Sequence, residues 1–147
     1  MRVFLDTNVL ASAAATRGLC ADVLREVLTS HEFLTSAQVQ SELRRVLRTK
    51  FGVAQDLIAD FIWLMRQDTV LAQPGQLPTV DIEDQDDLLI LSAAISAGAD
   101  VFVTGDQELL DIGHIENLAI LSPRQFWEKL KTQLQRGAGR GKSHRVP

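Results

Sequence analysis

The side chains of this sequence that could do chemistry together are carboxylates, in four places: Asp6, Glu42, the run Asp84-Gln85-Asp86-Asp87, and Asp106. Asp6 directly follows the apolar run Val3-Phe4-Leu5, and Asp106 follows Val101-Phe102-Val103 after Thr104-Gly105. Acids at the ends of buried strands lie where an open parallel sheet presents its ligands. Each could equally do no more than cap the next helix, a favoured place for Asp. Glu42 stands at the edge of a helical stripe formed by Val39, Leu43 and Val46, with Gln40, Arg44 and Arg48 free to take the solvent side. A carboxylate leaning toward a core needs a base or a metal beside it, and Arg45 and Arg48 are the bases within helical reach. In the 84–87 run, Asp84 and Asp86 suit a helix start for dipole reasons alone. Asp87 does not: at about 100° per residue it shares a face with Leu91 and Ala94, opposite Ser92 and Ser96.

Several carboxylates at one point raise one another's pKa unless cations join them. An all-oxygen donor set suits Mg²⁺ or Mn²⁺, which accept carboxylates, waters and substrate phosphates together. The chemistry that follows is metal-assisted hydrolysis of a phosphodiester. No glycine-rich phosphate loop and no Cys/His zinc spacing competes with it, and His31, His114 and His144 read as surface or loop residues.

Such acids need a scaffold whose strands end together. Strand-like and helix-like stretches alternate along the chain, the pattern of a parallel sheet flanked by helices. Strands are expected at Val3-Phe4-Leu5, Phe33-Leu34, Val70-Leu71, Val101-Phe102-Val103 and Leu118-Ala119-Ile120-Leu121. Helices are expected over roughly 21–28, 35–47, 54–66 and 85–97, with a last one opening at Ser122-Pro123. Thr35 with Gln38, and Ser122 with Gln125, read as capping boxes. The fold class is therefore α/β, with a central parallel sheet of about four or five short strands.

Charge is unevenly spread. Arg136, Arg140, Lys142 and Arg145 lie among glycines without an acid, so 136–147 reads as a basic, disordered tail behind one domain at 1–135. That domain keeps 11 of the 15 bases against all 19 acids, a net of −8. Bulk charge therefore does not draw this body to nucleic acid; it gathers cations, which can bridge to phosphate. Arg17, Arg44, Arg45 and Arg48 either guide phosphate or form a solvated helix face. The single cysteine, Cys20, cannot make an internal disulfide and is expected as a buried structural residue. No apolar run approaches the ~20 residues that cross a bilayer. An acid at position 6 comes too early for a signal peptide, and a cytoplasmic protein with no membrane partner is expected.

With these acids in place, Val3-Phe4-Leu5-Asp6-Thr7-Asn8-Val9-Leu10 resembles the first motif of the PIN-domain family. Asp84-Gln85-Asp86-Asp87, running on through Ala93-Ala94 to Gly98-Ala99-Asp100, is similar to its central acidic motif, and Val101-Phe102-Val103-Thr104-Gly105-Asp106 to its closing one. Glu42 falls where the family carries an acid on a helix between the first two. The resemblance spans roughly residues 1–127. It implies a three-layer α/β/α fold and a ribonuclease dependent on Mg²⁺ or Mn²⁺, with Asp6, Glu42, Asp87 and Asp106 as catalytic metal ligands. It gives Asn8, Thr104, Asp84 and Asp86 supporting roles. Leu88 follows the paired acids where relatives often have a polar residue, which leaves the division between Asp86 and Asp87 open. Small members of the family, like the VapC-like proteins, are frequently toxins held by an antitoxin. The resemblance thus implies an RNA substrate, an antitoxin partner and a homodimer, with Trp63 and Leu64 as interface candidates off the stripe of their helix. The other readings are an RNA- or protein-binding domain without turnover, and a DNA-directed nuclease or phosphatase on the same metal site.

Overall fold

The computed structural model describes residues 1–67 and 69–144, with side chains as far as Arg136. In chain order the elements are β1 (Arg2–Leu5), α1 (Thr7–Ala15), α2 (Leu19–Ser30), β2 (Glu32–Ser36), α3 (Ala37–Thr49), α4 (Gln55–Met65) and β3 (Val70–Ala72). Then follow α5 (Gln85–Ser96), β4 (Val101–Val103), α6 (Gln107–Ile112), β5 (His114–Ile115), β6 (Leu118–Leu121) and α7 (Pro123–His144). Helices flank one sheet of six strands in the order β3-β2-β1-β4-β6-β5. All neighbours pair in parallel except β5, which pairs antiparallel with β6. The expected α/β/α architecture is present, with one more strand than the apolar runs announced. β5 is two residues long, too short to show a periodic pattern, and exists only because His114 and Ile115 find Ala119 and Leu118 opposite them.

The central strands are buried on both faces, as continuous apolar runs in parallel sheets require. Every residue of Val3-Phe4-Leu5 and of Val101-Phe102-Val103 is fully buried. Phe4 and Phe102 are register partners on adjacent strands and stack with ring centroids 5.4 Å apart. Arg2 pins the amino ends of the central strands, donating from its guanidinium to the Ala97 carbonyl and to Glu32. Ala97 ends α5, and Gly98 turns the chain back at φ 71°, a left-handed conformation that glycine adopts without a Cβ clash.

Several local expectations are corrected. Helix α1 was not anticipated, because TNVLASAAA is apolar nearly all round and shows no amphipathic stripe; it packs against both α2 and α3. α6 is one short turn-like helix behind Asp106. The N-cap of α3 is Ser36, not Thr35: Ser36 Oγ accepts from the Val39 backbone N–H. Thr35 belongs to β2, and its hydroxyl is buried without a hydrogen-bond partner among the described residues. Gln40 is 5% exposed, not solvated, because its side-chain oxygen accepts two hydrogen bonds from Arg66 at the start of the chain's exit from α4. Leu47 completes the α3 stripe, while Val46 is half-buried. Ser92 likewise faces inward, donating to the Gln76 carbonyl and accepting from the Gly75 N–H, so it fastens the loop before α5. The capping box at Ser122 is reciprocal as expected: Ser122 N–H reaches Gln125 at 2.9 Å and Gln125 N–H reaches Ser122 Oγ at 3.1 Å. α7 carries the backbone past the expected tail start at 136; side chains beyond Arg136, residues 145–147 and the expectation of a disordered basic tail lie outside the described residues. Among the described residues, no helix is long and apolar enough to cross a membrane.

Candidate active site

The chain runs from β1 outward through β2 to β3, then returns to β4 on the other side of β1. The sheet therefore reverses its winding between β1 and β4, and a crevice opens at their carboxyl ends. Asp6 and Asp106 stand at that crevice. Asp6 follows β1 and caps α1, accepting from the Thr7 N–H at 2.8 Å. Asp106 follows β4 and caps α6, accepting from the Glu108 N–H at 2.9 Å. The capping role and the crevice position are thus held by the same residues.

A cleft of about 250 Å³ is lined by Asp6, Glu42, Asp87 and Asp106, with Thr7 and Lys50 among its other walls. Four acids from four separate elements are brought together, although up to a hundred positions separate them. Asp86 does not face this cleft; it lines a neighbouring one with Glu42, Arg44, Arg45 and Arg48. Asp84 caps α5 by accepting from the Asp86 N–H.

Asp6 is 5% exposed and the most tightly held of the four. Thr104 Oγ1 donates to Asp6 Oδ2 at 2.8 Å, and Asn8 Nδ2 reaches the same oxygen at 3.3 Å. Thr104 Oγ1 also accepts from the Asp106 N–H at 3.0 Å, so one hydroxyl ties both strand-ending acids together. Asn8 Oδ1 in turn accepts from the Gly105 N–H. For Glu42 a base, Arg45 or Arg48, or a metal was the expected partner. Thr7 Oγ1 donates to Glu42 Oε2 at 2.9 Å, and no ion pair to Glu42 exists among the described residues. Sequence reasoning passed over Lys50, which walls the cleft, and Thr7. Thr7 lies between two residues that were singled out, but no helical spacing links positions 7 and 42.

The electrostatics are those of crowded, underneutralised carboxylates. Burial raises the Asp6 pKa, and the neighbouring Asp106 adds to it, against the hydrogen bonds from Thr104, Thr7 and Asn8. Burial also raises Glu42, opposed by the Thr7 hydrogen bond and reinforced by Asp6 and Asp86. Asp87 is pushed up to about 7, first by desolvation, then by the charges of Asp84, Asp6, Asp106 and Glu42. Among the described residues, no three acidic, His or Cys side chains stand close enough to grip an ion as they are. The four acids line an open cleft without closing on a common point. The donor set nevertheless fits a hard divalent ion: it is all oxygen, it forms no ion pair among the described residues, and Mg²⁺ keeps several waters while taking only one or two carboxylates directly.

Cys20 was expected to be buried and is half-buried, lining a separate depression with Asn8 and Asp106. His31 closes α2, contacts the N-terminal amine and lies edge-on to Phe126, so it is partly packed, not a loop bystander. Trp63 and Leu64 are exposed on α4, at 65% and 53%.

Comparison with known proteins bears on this geometry. Residues 2–108 match the PIN domain family. Among solved structures, VapBC2 from Rickettsia felis bound to a DNA fragment from their promoter is similar over 83% of this chain and 98% of that one, at 18% identity and TM-score 0.58. VapBC-1 from nontypeable Haemophilus influenzae is similar over 84% and 99%, again at 18% identity and TM-score 0.58. The T. brucei RRP44 PIN domain is similar over 93% of this chain and 84% of its own, at 13% identity and TM-score 0.52. At these identities the likeness is one of fold. No curated protein matches the sequence. Since the family match takes in β1, α3, α5 and β4 with every acid of the cleft, the chain belongs to the PIN domain family.

Proposed function

We propose that this protein is a metal-dependent endoribonuclease, the toxin of a toxin–antitoxin pair, with Asp6, Glu42, Asp87 and Asp106 as the residues that hold Mg²⁺ or Mn²⁺. The observation that carries the proposal is the convergence of these four acids, without a paired base among the described residues, on one cleft at the sheet's switch point. Membership of a family of nucleases supports phosphodiester hydrolysis, and the likeness to VapBC proteins supports the toxin role.

Bound here, the ion supplies Lewis acidity toward a phosphate oxygen and neutralises charge that develops on the leaving oxygen. The chain's own residues set where that happens. Asp6 is held in one orientation by Thr104, Asn8 and its own helix start. Glu42 is aimed by Thr7 from the facing helix. Asp87 enters from the first turn of α5 with its pKa pushed up to about 7, and a cation held here would favour its ionised form. Asp84 and Asp86 support this wall by capping α5 and by adding negative potential beside Glu42. An antitoxin that covers the cleft, and self-association through the exposed Leu64 side of α4, belong to the same proposal.

The test is cleavage of mixed single-stranded RNA with Mn²⁺, with EDTA and with the Asp6→Asn/Asp87→Asn double variant as controls, beside single-stranded DNA and a small phosphate ester. Cuts in RNA that need metal and vanish in the folded variant are expected. Equal cutting by wild type and variant would place the activity elsewhere, and preferential cutting of DNA would move the substrate class.

A further inference from the structure

Of the 11 bases on the acidic body, four fall in the stretch Arg44, Arg45, Arg48 and Lys50, and no acid lies between positions 43 and 55. Helix α3 is what joins this stretch to the active-site cleft. Glu42 lines both the acid cleft and the one beside it, which Arg44, Arg45 and Arg48 wall. Arg44 and Arg48 go on to line a third cleft, between α3 and α4, together with Trp63 and Arg66. The three depressions thus form one path, handed on by shared residues from Glu42 to the arginines to Trp63. From Glu42 to Arg48 the path climbs six residues of helix, about 9 Å.

Solvated arginines on an acidic protein ordinarily find carboxylates. Arg44, Arg45 and Arg48 are all exposed, yet none forms an ion pair among the described residues, not even with Asp86 in the same cleft. Trp63 is 65% exposed at the far wall, a large aromatic face turned to water. Guanidinium groups that grip phosphate in planar pairs of hydrogen bonds, followed by an aromatic platform, are the recurring means of holding single-stranded nucleic acid. A duplex would not offer its stacked bases to Trp63.

We infer that the α3–α4 groove is a substrate track, in which Arg44 and Arg48 hold phosphates and Trp63 stacks a base of single-stranded RNA whose cut phosphate lies in the acid cleft. This rests on the ribonuclease reading for its choice of RNA, but its binding term stands apart from turnover. Substrate therefore needs several nucleotides on one side of the cut, and affinity comes from this flank because the acid cleft itself repels phosphate until an ion is present.

The test is binding of a short mixed-sequence single-stranded RNA in EDTA, followed by fluorescence anisotropy over a salt series, with cleavage in Mn²⁺ measured separately on the same RNA. Arg44→Gln/Arg48→Gln is expected to weaken binding at least tenfold at low salt. It should also flatten the slope of log K against log salt by about 1.4, from roughly 0.7 for each phosphate contact. Trp63→Ala is expected to weaken binding about tenfold, with Trp63→Phe restoring most of it, and RNA is expected to quench the Trp63 emission. The three side chains are exposed, so matching thermal melts would exclude loss of fold. Wild-type binding and salt slope in all variants would overturn the track, while metal-dependent cleavage by the wild type would leave the ribonuclease reading intact. A Trp63→Ala variant changed only in oligomeric state would also overturn it, by giving that surface to a second copy. Groove-dependent binding without cleavage under any metal would support the track and defeat the ribonuclease reading.

Discussion

Asp87 ionises only near pH 7, because its carboxyl is half desolvated and faces the charges of Asp84, Asp6, Asp106 and Glu42. In the unfolded chain it ionises near 3.8. The folded form therefore binds this proton more tightly, and stability falls as pH rises from about 4 to about 7. Asp6 and Glu42, also raised, act in the same direction. In EDTA at pH 8, Asp87→Asn is expected to be more stable than wild type by ~1–2 kcal/mol after discounting for solvent screening of a half-exposed group. That amounts to a rise in Tm of roughly 3–6 °C, and it should vanish as pH falls below 3.8, where Asp87 is protonated in the folded and unfolded chain alike. A Tm at pH 8 below that of wild type would mean that Asp87 is paired, not strained. Thr104 acts through Asp6 and Asp106. Thr104→Val keeps the shape and removes both hydrogen bonds, and it is expected to lower metal affinity and cleavage roughly 10–100-fold. Thr104→Ser, tested by Mn²⁺ titration, should recover most of the loss.

Among the elements, α3 shows how a one-residue shift changes the meaning of a sequence. Thr35 with Gln38 satisfies the capping-box pattern, yet the strand β2 runs through Ser36 and the cap moves with it. Two substitutions separate these readings in urea melts. Ser36→Ala is expected to cost about 1 kcal/mol through the lost cap. Thr35→Val should be neutral or stabilising by about 1 kcal/mol, because it removes a buried hydroxyl without a partner. If Thr35 were the cap, the order would invert. The Ser122–Gln125 box, by contrast, was readable in advance, since Pro123 fixes the first helical residue and leaves one choice of register. α3 then presents two unlike faces to the site: Glu42 toward the acids and the arginines toward the groove.

For the whole molecule, the acid cleft is a charge defect beside the fully buried central strands that carry the stacked Phe4 and Phe102. A ligand that cancels it must stabilise the fold. Mn²⁺ at about a hundred times its Kd is expected to add roughly 2.7 kcal/mol, read as a rise in Tm that EDTA reverses. The Asp6→Asn/Asp87→Asn variant should start higher than metal-free wild type at pH 8 and show no such rise. An equal metal response in both proteins would remove these acids from the ion's site.

Continuous apolar runs marked β1, β4 and β6, periodic stripes marked α3 and α4, and acids at strand ends marked the cleft, because each of these signals is local and decided within a few residues. The apolar, stripe-free α1 and the two-residue β5 left no such signal and became elements only through their neighbours. Contacts between distant positions were also beyond local periodicity. Thr7 reaches Glu42 across 35 positions, in place of the arginines within helical reach, and Thr104 reaches Asp6 across 98. Gln40 and Ser92 turn inward because Arg66 and the Gly75–Gln76 backbone await them. The sequence by itself determined which acids could meet, through the strands they end and the helices they begin. The apolar face that Asp87 shares with Leu91 and Ala94 already turned it and not Asp86 toward the others. Tertiary structure alone decided that Thr7 holds Glu42 and Thr104 holds Asp6, because those partners come from distant elements that only packing brings together.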